Sequence, residues 1–111
     1  MARLLFKVAL TANQQLPNAL AGSAFEFVQD PATIEIAVLA DAAGVLQTIS
    51  SGPDILSEEA PVQIATINTL PKYPDDFFTD EADSGDRLKV ALRDTSGAGR
   101  TVLVEVRSEP L

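Results

Sequence analysis

Asp86-Arg-Leu-Lys-Val-Ala-Leu-Arg-Asp-Thr-Ser-Gly-Ala-Gly-Arg-Thr-Val-Leu-Val-Glu-Val-Arg107 decides how this chain is read. Leu88, Val90 and Leu92 alternate with Arg87, Lys89 and Arg93, and Val102, Val104 and Val106 alternate with Thr101, Glu105 and Arg107. Strand side chains point to opposite faces with period 2, so each half is a strand with an apolar face and a mostly charged face. Asp94 to Gly99 between them carries turn chemistry: two glycines for positive φ, with Asp, Thr and Ser for side-chain-to-backbone bonds. The pattern predicts a hairpin whose apolar face is covered by the rest of the chain.

Upstream, the same period recurs. Leu4, Phe6, Val8 and Leu10 mark a first strand, and Thr11 to Gly22 a loop. Phe25 and Phe27 mark a second strand, ended by Asp30-Pro31, and Ile34, Ile36 and Val38 a third. Val45 to Ile49 follows the turn Asp41-Ala-Ala-Gly44; Asp54 to Leu56 reads as a short edge strand, and Val62 to Asn68 as another strand. Asp75 to Asp83 reads as a helical turn. Short strands separated by Gly, Pro, Asn and Asp predict an all-β fold, a single antiparallel β-sandwich or jelly roll of seven to eight strands. With 111 residues, the expectation is one domain over 1–111.

Composition narrows the function classes. There is no cysteine and no histidine, which removes thiolate chemistry and the usual general base near neutral pH. Sixteen acidic residues against eight basic ones give a net charge of −8, which opposes a phosphate backbone, so nucleic acid is not expected as a partner. The charge is segregated: between Lys7 and Lys72 there is no Lys or Arg, whereas five bases follow from Arg87 onward. An acidic middle with basic ends favours head-to-tail contact between copies, or places the first and last strands side by side. No apolar run approaches the roughly 20 residues of a membrane-spanning helix. Lys7 breaks the opening apolar run, so no signal peptide is expected.

The segment Pro74 to Asp86 holds six carboxylates in thirteen residues. Such density suits Ca²⁺, a hard cation with oxygen ligands, and Asp80, Asp83 and Asp86 are the weak metal candidates. Against a calcium-binding EF-hand loop with Gly85 at its turn, Ala82 and Ala91 stand where ligands belong, and the match fails. Phe77 and Phe78 in this acidic stretch need burial: they plug an open end of the sandwich or, with Tyr73, anchor a neighbouring subunit. Leu5, Ala9, Ala37, Leu39, Leu46, Ile67 and Leu103 fall opposite the main apolar rows, leaving outer faces less polar than a solitary protein needs. Asp94-Thr95-Ser96-Gly97 invites comparison with the Asp-Thr-Gly of aspartic proteases, but Ser96 interrupts the motif and a turn accounts for the same residues. No nucleophile elbow or phosphate-binding glycine loop is present, and an enzyme is not expected.

Phe25-Glu-Phe-Val-Gln-Asp-Pro31, Gly44-Val-Leu-Gln-Thr-Ile-Ser-Ser-Gly52 and Gly85-Asp-Arg-Leu-Lys-Val-Ala-Leu-Arg93 have a strand-and-turn texture that resembles small β-sandwich structural proteins of bacterial virus particles. The resemblance implies a non-enzymatic subunit of a symmetric shell, as capsid, decoration or vertex protein, with copies of itself or other shell proteins as partners. Phe77, Phe78, Tyr73, Leu5, Leu39 and Leu103 are then the expected contact residues. The alternative expectation is a monomeric binding or adhesin module, calcium-stabilised through the 74–86 loop.

Overall fold

The computed structural model describes residues 2–65, 70–72 and 75–111. Among these, nine strands form: β1 (Ala2–Leu10), β2 (Gln15–Leu16), β3 (Ala32–Ala40), β4 (Val45–Ser51), β5 (Asp54–Pro61), β6 (Gln63–Ile64), β7 (Phe78–Ala82), β8 (Leu88–Asp94) and β9 (Arg100–Pro110). One sheet runs β1-β9-β3, with β6 and β7 both on the far margin of β3; the other runs β2-β8-β4-β5. The all-β reading holds, in a two-sheet, sandwich-like arrangement. Pairing is antiparallel except between β3 and β6, which run parallel over Leu39↔Gln63 and Ala40↔Ile64.

The expected hairpin of β8 and β9 does not form. β8 pairs with β2 and β4, whereas β9 pairs with β1 and β3. The connection at residues 95–99 is therefore an arch that carries the chain from one sheet to the other. Leu88, Val90 and Leu92 accordingly lie in one core cluster with Val102, Val104 and Val106 from the opposite sheet, together with Ile34, Ile36, Val38 and Ile49. Period-2 alternation is satisfied equally by two strands that share a sheet and by two that face across a core.

The arch is held by Asp94. One oxygen of its buried carboxylate accepts from the Ser96 amide at 2.9 Å and the Ser96 hydroxyl at 2.6 Å. The other accepts from the Gly99 amide at 3.0 Å and the Asn13 amide at 3.2 Å. The Asn13 bond ties the arch to the turn that leaves β1. Gly99 has φ +78°, and a Cβ there would stand 2.9 Å from the Leu10 carbonyl oxygen.

Two other expectations need correction. Phe25 and Phe27 do not lie in a strand, and only an isolated bridge, Phe27↔Arg87, remains. The reason is upstream: successive turns link Ala21 to Asn18, Ser23 to Leu20 and Glu26 to Ser23. The buried Asn18 side chain also takes the place of a strand partner, accepting from Val90 N–H and donating to the Leu88 carbonyl. The helical turn expected over 75–83 is replaced by β7, which pairs with β3 from Ala32↔Ala82 to Ile36↔Phe78. The strand expected over Val62 to Asn68 is seen at Gln63–Ile64; residues 66–69 lie outside the described residues.

Placing a side chain in the left-handed region costs on the order of 1–2 kcal/mol. Gly99→Ala should lower stability by at least that much in a denaturant melt, because the Leu10 carbonyl leaves no room for relaxation. Unchanged stability would mean that the arch does not bear on Leu10.

Candidate functional site

The sheet containing β1 is unusual in being buried on both faces at its centre. Its inward row is expected: Ile34, Ile36, Val38, Val102, Val104 and Val106. The outward row, Glu35, Ala37, Leu39, Leu103 and Glu105, is also buried. Leu39 and Leu103 are 2% and 4% exposed within this chain, so they offer no surface to a partner, contrary to the expectation for them.

Glu105 is fully buried, and its Oε2 accepts from Arg3 Nε at 2.7 Å and from Arg107 Nε at 2.8 Å. The Arg107 guanidinium also lies 4.8 Å from the centre of the Phe77 ring. Phe77 is thus half-buried against a cation, and Phe78 packs on the core. Tyr73 lies outside the described residues. This network joins β1 to β9 and gives the outer face a cationic margin. Two guanidinium groups facing one carboxylate compensate for its loss of water, although Glu105 Oε1 has no hydrogen-bond partner among the described residues.

The two ends of the sheets contrast. β1 is an edge strand, paired only with β9, in unbroken register over nine residue pairs. Its inward side chains Leu4, Phe6 and Val8 are only half-buried, and Leu5 on the other side is 39% exposed. Arg3 and Lys7 flank Leu5 on that outer row. Regular edges of this kind expose unpaired backbone donors and acceptors to an incoming strand, and charged side chains are the usual guard.

At the opposite margin, β5 is the edge of its sheet and lies beside β7. It is irregular, with register shifts around Ile49 and a positive φ of 46° at Glu59. Its exposed acids are Asp54, Glu58 and Glu59; Glu81 is exposed on the neighbouring β7. Ile55 is 62% exposed among them. The charge segregation of the sequence is therefore spatial: a basic row on the β1 margin and an acidic margin across the molecule.

The metal candidates are divided. Asp80 lies within β7, whereas Asp83 and Asp86 close a turn on each other, with the Asp83 amide donating to Asp86 Oδ2 at 2.9 Å. Among the described residues, no group of three or more His, Cys, Asp or Glu side chains is disposed to hold a metal ion. No helix among them is long and apolar enough to cross a membrane. Asp94 sits in the arch knot described above, serving a turn.

Three carboxyls depart from their ordinary behaviour, and Glu26 is one of them, lowered first by the Gly22 amide and then by Arg87. The Asp80 carboxylate, by repulsion and by accepting a hydrogen bond from the protonated form, raises Asp54, with burial and then Asp86 adding to it. The Ser96 hydroxyl, followed by the amides of Ser96, Asn13 and Gly99, lowers Asp94 to about 2.

Two residues with defined roles here were not singled out from sequence. Glu105 stands in a row with Leu103, which was the available signal that this face is covered. Gln47 interrupts the inward row Val45-x-Gln47-x-Ile49 and is 5% exposed.

Comparison with protein-family models, with curated proteins and with solved structures finds no match.

Proton linkage gives two opposite pH signatures. Asp54, raised in the fold, penalises folding once pH climbs above its ordinary value of 3.8. Asp54→Asn should therefore raise Tm at pH 7, with the gain vanishing as pH falls below 3.8. Asp94, lowered in the fold, stabilises above 3.8, and that contribution is lost as pH falls towards about 2. Asp94→Asn should lower Tm at pH 7, with the difference from the parent chain narrowing over that acid window. A Tm difference independent of pH for either variant would contradict these assignments.

Proposed function

We propose that this chain is a non-enzymatic structural assembly protein, a capsid-associated subunit of a bacterial virus particle acting through subunit–subunit contacts. The observation that carries the reading is the pair of unlike margins. β1 offers a regular edge nine residues long, paired on one side only, with Leu5, Arg3 and Lys7 beside it. The β5–β7 margin offers acids around exposed Ile55. Because the two lie on opposite sides, contact between them is heterologous, the kind that propagates into rings or lattices. Backbone pairing would supply affinity, and the opposed charges would supply orientation. The resemblance of the strand-and-turn texture to small β-sandwich structural proteins of bacterial virus particles supports placing the assembly in a shell, with the finer form of the fold a jelly roll of seven to eight strands.

Exposed large apolar side chains support the same reading: Phe27 is 49% exposed and Ile64 55% exposed, besides Ile55 and Leu5. A monomeric module would be left with these side chains in water and an open edge prone to non-specific pairing.

Light scattering across a concentration series tests the proposal. The expected result is a defined oligomer or larger particle whose formation weakens with added salt, since exposed charges are screened within about 10 Å at 0.1 M. Leu5→Glu should abolish it while changing the stability of the monomer by no more than about 0.5 kcal/mol. A strict monomer at all concentrations and low salt, alone and with its native particle, would overturn the reading.

A further inference from the structure

At the margin opposite β1, β5 and β7 lie side by side although they belong to different sheets, β5 pairing with β4 and β7 with β3. Among the described residues, no ladder joins them. What crosses this seam is a pair of carboxyl groups. Phe78 packs on the core and Ala82 is part of it, so alternation turns Asp80, midway between them, inward as well. Asp54 is the register partner of Ser51, a fully buried residue at the end of the inward row of β4. Partners in an antiparallel pair face the same side. The two side chains therefore converge from the two sheets, near enough for one carboxyl, once protonated, to hydrogen-bond the other.

Asp80 carries the signal. Its Oδ2 is buried and has no hydrogen-bond partner among the described residues, and such an oxygen is unfavourable until a donor reaches it. An ionised Asp54 has no donor to give, whereas a protonated Asp54 has one O–H. The surrounding charges favour the protonated form. A Cβ at Gly52, in the turn from β4 to β5, would stand 2.6 Å from Asp86 Cγ, so a third carboxylate lies beside the turn that leads into Asp54. The Asp83 amide donates to Asp86, and Arg87 is turned to Glu26 at 2.9 Å. Glu81 lies on the exposed side of β7, and Glu58 and Glu59 lie farther along β5. The charges that act on Asp54 are Asp80 first and Asp86 after it, both negative.

We propose that Asp54 and Asp80 form a proton-operated latch across the seam between the two sheets, closed when they share one proton and released when both are ionised. In the closed form, the Asp54 O–H bonds the Asp80 carboxylate and ties β5 to β7. In the released form, two like charges within a hydrogen bond's length push the seam apart. The closed seam raises Asp54, so proton binding favours closure. Closure is fully present below the ordinary carboxyl value of 3.8 and is lost as pH rises through the raised one. The latch stands independently of the assembly reading, since both carboxyls belong to one chain.

The test is hydrogen exchange by mass spectrometry from about pH 4 to about pH 8, a span over which an ordinary Asp is mostly ionised. The chain is diluted until light scattering shows no association, EDTA is present, and rates are corrected for the intrinsic pH dependence of exchange. Amides of β5 and β7 should lose protection relative to those of β3 by about tenfold, the effect of a one-unit difference in proton affinity between closed and open seam. Asp54→Asn and Asp80→Asn each replace the shared proton with an amide donor, and should hold the seam equally protected across the range. Equal pH dependence in the parent and both variants overturns the proposal, as does a loss that β3 shares in full. Should the variants fail to fold, a carbon-13 titration of the aspartate carboxyls in the parent chain decides. Coupled titration of Asp54 and Asp80, with one step above the ordinary range, supports the latch; two separate ordinary titrations overturn it.

Discussion

The carboxylate of Asp94 is the constraint on which the two-sheet arrangement depends. Four donors from three residues converge on it, and together they turn the chain through residues 95–99 so that β8 and β9 enter different sheets. A tight two-residue turn would have let these strands pair with each other. The arch instead sets their apolar rows face to face, and each strand recruits separate neighbours: β4 and β2 for one, β3 and β1 for the other. Asn13 couples this turn to the end of β1, so the edge strand and the arch are positioned by the same group.

The consequence is a sheet centred on β3 and β9 that is buried on both sides. Inward burial makes the core; outward burial takes Leu39 and Leu103 out of reach and forces Glu105 into a dry position. Arg3 and Arg107 then have to meet it, which draws cationic side chains to the β1 side. The opposite margin keeps its acids, Asp54 and Asp80 among them, close enough to repel.

Much of the fold was legible because alternation is local. The strands now seen as β1, β3, β8 and β9 each carry an uninterrupted apolar row, β4 carries one broken only by Gln47, and their turns carry Gly, Asp or Asn. What alternation does not encode is which strand a given strand pairs with, and so the β8–β9 pairing was misread. The alternating Phe25 and Phe27 misled for a related reason: next to β2, Asn18 bonds the edge of β8 at Leu88 and Val90 through its side chain, and the Phe25–Phe27 stretch keeps only the bridge Phe27↔Arg87. Of the expected contact residues, Leu5 is exposed, Phe77 and Phe78 are engaged within the chain, and Leu39 and Leu103 are buried within it, which periodicity alone does not reveal. Gln47 was visible as a polar residue in an apolar row, a signal that depends on knowing which row faces inward.

The central claim, that the β1 edge and the β5–β7 margin meet between copies, is tested most directly by amide hydrogen exchange at low and high protein concentration. The account predicts that amides of β1 and of β5 gain protection together as concentration rises, while β3, β8 and β9 remain protected throughout. Protection appearing at neither margin, or on a different surface, would contradict it.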